Sequence, residues 1–237
     1  MQMNCPCKQW LRARELGIQV GQDLEELIQF YQYLPDNVER VLEIGTQHGG
    51  WLFMLASVIQ PPARFCAVDT VYCSEFAITR GELEAAGFEV EFLPLNAGSA
   101  RAEVDRWLDG ARLDVLHLDG RHTLAGVGGD WNLYSPLVRP GGIVAIHDVR
   151  PTGPHAVFGA QLLFDHLSDA HILPLETHLC LRTWKEGLGI GVVHIPSLSQ
   201  PSPAGGGKRV GENNVRDFKG EPNQHWSPQL PRAARYR

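Results

Sequence analysis

No apolar run in this chain approaches the roughly 20 residues that cross a membrane as a helix; Gly, His or Asp breaks each candidate. The opening residues, MQMNCPCKQW, hold no basic stretch followed by an apolar one, so no secretory leader is expected. Cysteine is sparse and odd in number. Cys5, Cys7, Cys66, Cys73 and Cys180 show no disulfide-framework rhythm, and reduced thiols are the expectation. Cys5-Pro6-Cys7 could clip a soft metal, but no second Cys or His pair stands nearby to complete four ligands. These absences point to a soluble, cytoplasmic protein with no membrane partner.

A net charge of −6 hides an uneven distribution. Residues 1–197 hold 24 acidic and 14 basic residues, whereas residues 198–237 hold 3 and 7. An acidic body argues against a nucleic-acid groove across the main domain. The basic end carries five Pro and five Gly, with GGG at 205–207, and reads as a linker and poorly packed, solvated tail. What remains is ample for a core: 43% of the 237 residues are hydrophobic and only 20% are charged, which excludes global disorder.

Periodicity then divides the chain. Helical spacing is expected over 23–34, 50–60, 74–86, 99–109, 123–138 and 155–168. Short apolar runs between them, at 40–44, 64–69, 88–93, 113–118 and 143–147, read as buried strands. Two further β-like stretches, 171–176 and 189–195, have no helix pattern between them. Strand and helix alternating in this way predicts βαβ units: a doubly wound α/β fold, with a mainly parallel seven-stranded sheet and an antiparallel edge pair. The expected organisation is an N-terminal helical cap over 1–37, a catalytic domain over 38–197 and the tail over 198–237.

Open parallel sheets bind ligands beyond the carboxyl ends of their strands. The residues just past each expected strand are Glu43-Ile44-Gly45, Asp69, Asn96-Ala97-Gly98-Ser99, Asp119-Gly120-Arg121-His122 and His147-Asp148. Polar or acidic groups stand at every one. The first turn, EIGTQHGG, has Gln at position 47 where a dinucleotide motif has its middle glycine, which disfavours a pyrophosphate. Asp69 lies 24 residues after Gly45, where a carboxylate can hold a ribose diol. Turn and acid together favour an adenosine-type cofactor.

These features resemble class I S-adenosylmethionine-dependent methyltransferases over roughly residues 38–195. VLEIGTQHGGW, LHLDGRH and YSPLVRPGGIVAIHD are similar to phrases of the macrocin O-methyltransferase and cephalosporin-hydroxylase-like group. The resemblance implies that Glu43, Gly45 and Gly49 flank the methionine part of S-adenosylmethionine and that Asp69 holds its ribose. It places Gly98 and Ser99 beside adenine, with Asp119 also bordering the cofactor. Trp51 stands where Ser is common, and Arg121 where Asp or Gly is usual.

Methyl transfer to a hydroxyl needs alignment and removal of the acceptor's proton. His122, with an unperturbed pKa near ~6.5, is the candidate base, acting with Asp119. A divalent ion such as Mg²⁺ or Mn²⁺ could assist, held by Asp119 and Asp148. His147, as a third ligand, would turn the site toward softer ions; as a non-ligand it faces the other side of its strand. His117, in mid-strand, reads as a hydrogen-bonded core histidine, and Trp131 and Tyr134 as core. The expected activity is methyl transfer to a small hydroxylated acceptor, a sugar or natural product, by a chain that can form homo-oligomers. The alternatives are a metal-dependent hydroxylase-like enzyme on the same fold and a non-catalytic cofactor-binding or assembly protein.

Overall fold

The computed structural model describes residues 5–150, 157–169, 178–180 and 189–196. Among these residues seven strands form one sheet: β1 (Arg40–Ile44), β2 (Arg64–Val68), β3 (Glu89–Leu93), β4 (Leu113–Leu118), β5 (Val138–Ile146), β6 (His178–Cys180) and β7 (Gly191–His194). Their spatial order is β3-β2-β1-β4-β5-β7-β6. The first five pair in parallel, and β7 runs antiparallel to both β5 and β6. The doubly wound fold with its antiparallel edge pair is therefore as expected. Chain order reverses between β1 and β4, the position where such sheets open a crevice.

Helices cover both faces. They are α1 (Pro6–Leu16), α2 (Leu24–Phe30), α3 (Gly50–Leu55), α4 (Ser74–Ala85), α5 (Ala97–Leu108), α6 (Leu124–Tyr134) and α7 (Gly159–Asp169). Alternation along the strands splits the core into two layers. Leu42, Ile44, Leu116 and Val144 pack with α5, α6 and α7 on one side. Val41, Val115 and Ala145 pack with Leu27, Phe30, Trp51 and Met54 on the other. None of the described helices is long and apolar enough to cross a membrane.

The boundaries differ from expectation where local chemistry intervenes. Helix α6 stops at Tyr134, and Ser135–Leu137 form a 3₁₀ turn with Pro136 inside it, because proline lacks the N–H that continues an α-helix. Strand β5 starts at Val138 rather than 143: Gly141 N–H donates to Ile195 and Ile195 N–H to Gly142, extending the ladder toward β7. Asn96 caps α5 by accepting from Ser99 N–H, so that helix begins at Ala97. The strand expected over 171–176 lies outside the described residues except that β6 forms just after it, at 178–180. Its antiparallel register with Gly191–Val193 defines it. The 198–237 tail is outside the described residues.

Candidate active site

Parallel register builds the site. Glu43 of β1 stands beside His117 of β4, and His117 beside Ala145 of β5. With a period of two, Glu43, His117, Asp119 and His147 fall on one face of the sheet, at its carboxyl end. That face is the one covered by Trp51 and α2. Beyond it opens a cleft of about 770 Å³, walled by the ends of β1, β2 and β4 and by the segment Gln19–Gln22.

Glu43 is fully buried at the cleft floor. It accepts from Thr46 Oγ1 at 2.6 Å and meets His117 Nδ1 at 3.1 Å. Burial pushes its carboxyl up, and the His117 and Thr46 hydrogen bonds pull it back. The His117 ring stacks on Trp51, centroids 4.0 Å apart. His117 is thus a hydrogen-bonded core histidine, as its place in the strand indicated. Gly45 must be glycine: its φ is +85°, and a Cβ there would sit 2.3 Å from the Asp119 carbonyl oxygen. The turn is tight because β4 ends against it.

Asp69 accepts from Gln47 N–H at 2.9 Å and from Val71 N–H at 3.1 Å, tying the β1 turn to the end of β2. Asp69 and Glu43 both border the cleft. On the opposite wall stand Leu95, Asn96 and Ala97; Gly98 and Ser99 lie in the first turn of α5 behind them. Trp131 packs partly buried against the core, and Tyr134 is fully buried with its hydroxyl donating to Ala97.

Beside the cleft two carboxylates and two imidazoles interleave. His122 Nε2 lies 3.3 Å from Asp119 Oδ1, and its Nδ1 3.2 Å from Asp148 Oδ2. His147 Nδ1 is 3.1 Å from Asp119 and 3.2 Å from Asp148, so it faces the site rather than the far side of the strand. Gln22 donates to the remaining oxygen of Asp119 at 3.3 Å. Burial opposes charge on His147, but Asp119 and Asp148 outweigh it and raise its pKa to about 9. Burial likewise opposes the charge of Asp119, and the two histidines hold that carboxyl below the usual range. The hydrogen bond to Asp119 raises His122, whose side chain is 40% exposed at the cleft mouth. Ligand atoms of Asp119, His122 and Asp148 all lie within 4.8 Å of one another.

Two participants escaped sequence reasoning. Gln22 reaches the site only because the chain before α2 crosses the cleft. Asp130 of α6 borders the cleft on the inward side of its helix, and burial pushes its carboxyl up to about 6 against the pull of Arg121. An acid between the inward Val127 and Tyr134 was the available signal.

The model of a methyltransferase domain family matches residues 42–149. Among curated proteins none matches the chain. Solved structures do. The O-methyltransferase TomG from Streptomyces achromogenes, in complex with SAM, is 19% identical, covering 83% of this chain and 92% of that one at a TM-score of 0.54. An O-methyltransferase from Bacillus cereus, in complex with SAH, is 16% identical, covering 80% and 90% at 0.56. MycE methyltransferase from the mycinamycin biosynthetic pathway, with Mg and SAH, is 20% identical at 0.54; this chain spans 57% of its length. The chain has the Rossmann-like fold of S-adenosylmethionine-dependent methyltransferases.

Proposed function

We propose that this chain is an S-adenosylmethionine-dependent O-methyltransferase that moves a methyl group to a hydroxyl of a small molecule, a sugar or natural-product moiety. The observation that carries the reading is the adjacency of a nucleoside-sized cleft and the Asp119–His122–Asp148 cluster at the β1/β4 switch point. The cofactor fits the residues present. Glu43 and the turn containing Gly45 and Gly49 would receive its methionine end, Asp69 its ribose, and the wall before Gly98 and Ser99 its adenine. Asp119 borders both halves of the site. When bound, the cofactor supplies an already activated methyl group.

The protein's task is then alignment and proton removal. His122 sits at the exposed mouth, where an acceptor hydroxyl can reach it, and Asp119 orients its ring and steadies the charge it gains. The donor set also fits a divalent cation: Asp119 and Asp148 would hold Mg²⁺ or Mn²⁺, and an imidazole from His147 would favour Mn²⁺. Such an ion lowers the pKa of a hydroxyl bound to it. Gln22, from the segment crossing the cleft, holds Asp119 on its free side and helps to keep water from the reacting groups.

Calorimetric titration of the full, metal-stripped chain with S-adenosylhomocysteine tests this. Binding is expected in the wild type and weakened by about tenfold or more in Glu43→Ala and Asp69→Ala, roughly 1.4 kcal/mol each. Methyl transfer to hydroxylated acceptors, with and without Mg²⁺ or Mn²⁺, then identifies the substrate. A wild type that binds no S-adenosylhomocysteine would overturn the proposal.

A further inference from the structure

A second cluster of metal-ligating side chains stands on the other flank of the cleft. His48 follows β1, Cys73 is the residue before α4, and Glu75 is in the first turn of α4. One ligand atom from each lies within 4.8 Å of the other two. His48 stands 25 residues before Cys73, so its meeting with Cys73 and Glu75, neighbours at the start of α4, is a product of packing. Thr79 Oγ1 donates to the His48 carbonyl at 2.8 Å, and the Cys73 thiol donates to the Gln47 carbonyl at 3.1 Å. Gly49, at φ +74°, brings the turn so close to α4 that a Cβ there would lie 2.8 Å from Phe76 and Thr79. The loop that carries His48 is thereby pressed against the helix that carries the other two ligands.

His48 Nδ1 is buried and has no hydrogen-bond partner, a condition that native proteins ordinarily avoid. A thiol, an imidazole and a carboxylate, all three only part-exposed, form a donor set suited to a borderline-soft divalent ion with an open coordination position.

We infer that His48, Cys73 and Glu75 form a binding site for a divalent cation of the zinc class, separate from the Asp119–His122–Asp148 cluster. On binding, the Cys73 sulfur–hydrogen bond breaks, the proton passes to solvent, and the thiolate, the His48 imidazole and the Glu75 carboxylate bond the ion. No electron changes hands. Because His48 and Cys73 both line the cleft, the ion would tie the turn after β1 to the start of α4.

Co²⁺ is the probe, since a thiolate ligand gives it a sulfur-to-metal charge-transfer absorption that oxygen ligands do not. The full chain is used with Cys5→Ser and Cys7→Ser, which removes the exposed pair at the N-terminus. The band should saturate at roughly one equivalent and vanish on addition of Zn²⁺. It should be absent in Cys73→Ser, and Co²⁺ should bind about tenfold or more weakly in His48→Ala and in Glu75→Gln, a milder change on the part-exposed first turn. Asp148→Asn should leave the band unchanged, because that cluster contributes no sulfur. A band that never forms, survives Cys73→Ser, or is indifferent to both His48→Ala and Glu75→Gln would overturn the inference. None of these readouts requires S-adenosylhomocysteine binding or methyl transfer.

Discussion

At the amino ends of the strands, the buried carboxylate of Asp114 accepts the N–H groups of Glu39 and Arg40, each at 2.8 Å, and pairs with Arg139. Each of its oxygens has a partner, and all are supplied by protein. At the carboxyl ends of the same strands, Asp119 and Asp148 share His122 and His147 between them, and neither ring nitrogen of His147 has an aligned hydrogen-bond partner. Gln22 Oε1, His48 Nδ1, Trp51 Nε1 and His117 Nε2 are also buried and unpartnered there, against Arg40 Nε alone near the amino ends among the described residues. Buried polar groups without partners are costly, and a fold that satisfies them at one end can do so at the other. The difference marks the amino end as a structural clasp and supports the proposal that ligands bind at the carboxyl end.

The largest stability effect should therefore come from the clasp. Asp114→Ala leaves two backbone donors and the Arg139 guanidinium without their acceptor, and should cost about 2–4 kcal/mol in urea-induced unfolding. S-adenosylhomocysteine affinity, measured where the variant is still folded, should stay near that of the wild type. A loss of stability below about 1 kcal/mol would break the comparison.

The second effect has the opposite sign. Asp130, beside the cleft, is held in the fold at a pKa of about 6, against about 3.9 for an aspartate in an unfolded chain. The folded state thus holds a proton between these values that the unfolded state releases. Its contribution favours folding fully below about pH 4 and is lost as pH rises through 6. Asp130→Asn should accordingly stabilise the protein by about 1–2 kcal/mol at pH 7.5 and leave it nearly unchanged at pH 3.5. Urea unfolding at the two pH values checks this. Equal effects at both would mean that the Asp130 charge finds compensation, as Asp114 does.

How much of this was legible before the structure depends on how local each feature is. Strands buried on both faces read as continuous apolar runs, so RVLEI, RFCAV, LDVLHL and IVAI were visible as β1, β2, β4 and β5. The acids that follow them were visible for the same reason. Strand β6, only three residues long, exists through its pairing with β7 and carries no pattern of its own. Register was equally hidden: nothing local to Glu43 says that His117 will be its neighbour, since that follows from how β1 and β4 align. Gly98 and Ser99 were placed by resemblance, whereas the cap made by Asn96 turns them into the first turn of α5 and leaves Leu95, Asn96 and Ala97 on the wall. His48, Cys73 and Glu75 converge only when the turn after β1 is pressed on α4.

The smallest effect lies again at the amino ends, but in solvent. Arg64 and Glu89 begin β2 and β3 as direct register neighbours and form an ion pair at 3.0 Å. Unlike Asp114, Glu89 is 71% exposed, so water already satisfies most of its charge. Arg64 has other partners too, the Trp107 carbonyl at 3.1 Å and the Trp107 ring at 5.1 Å. Its truncation therefore removes packing as well as charge, and only a double-mutant cycle isolates the pair. Arg64→Met with Glu89→Gln should give a coupling of about 0.2–1 kcal/mol that shrinks further in high salt. A coupling as large as the Asp114→Ala effect, or one indifferent to salt, would show that position along the strands sets the strength of an ion pair. The expected small value would show that burial sets it, which is why the partly unpartnered groups around the cleft, and not the exposed pairs, point to ligands.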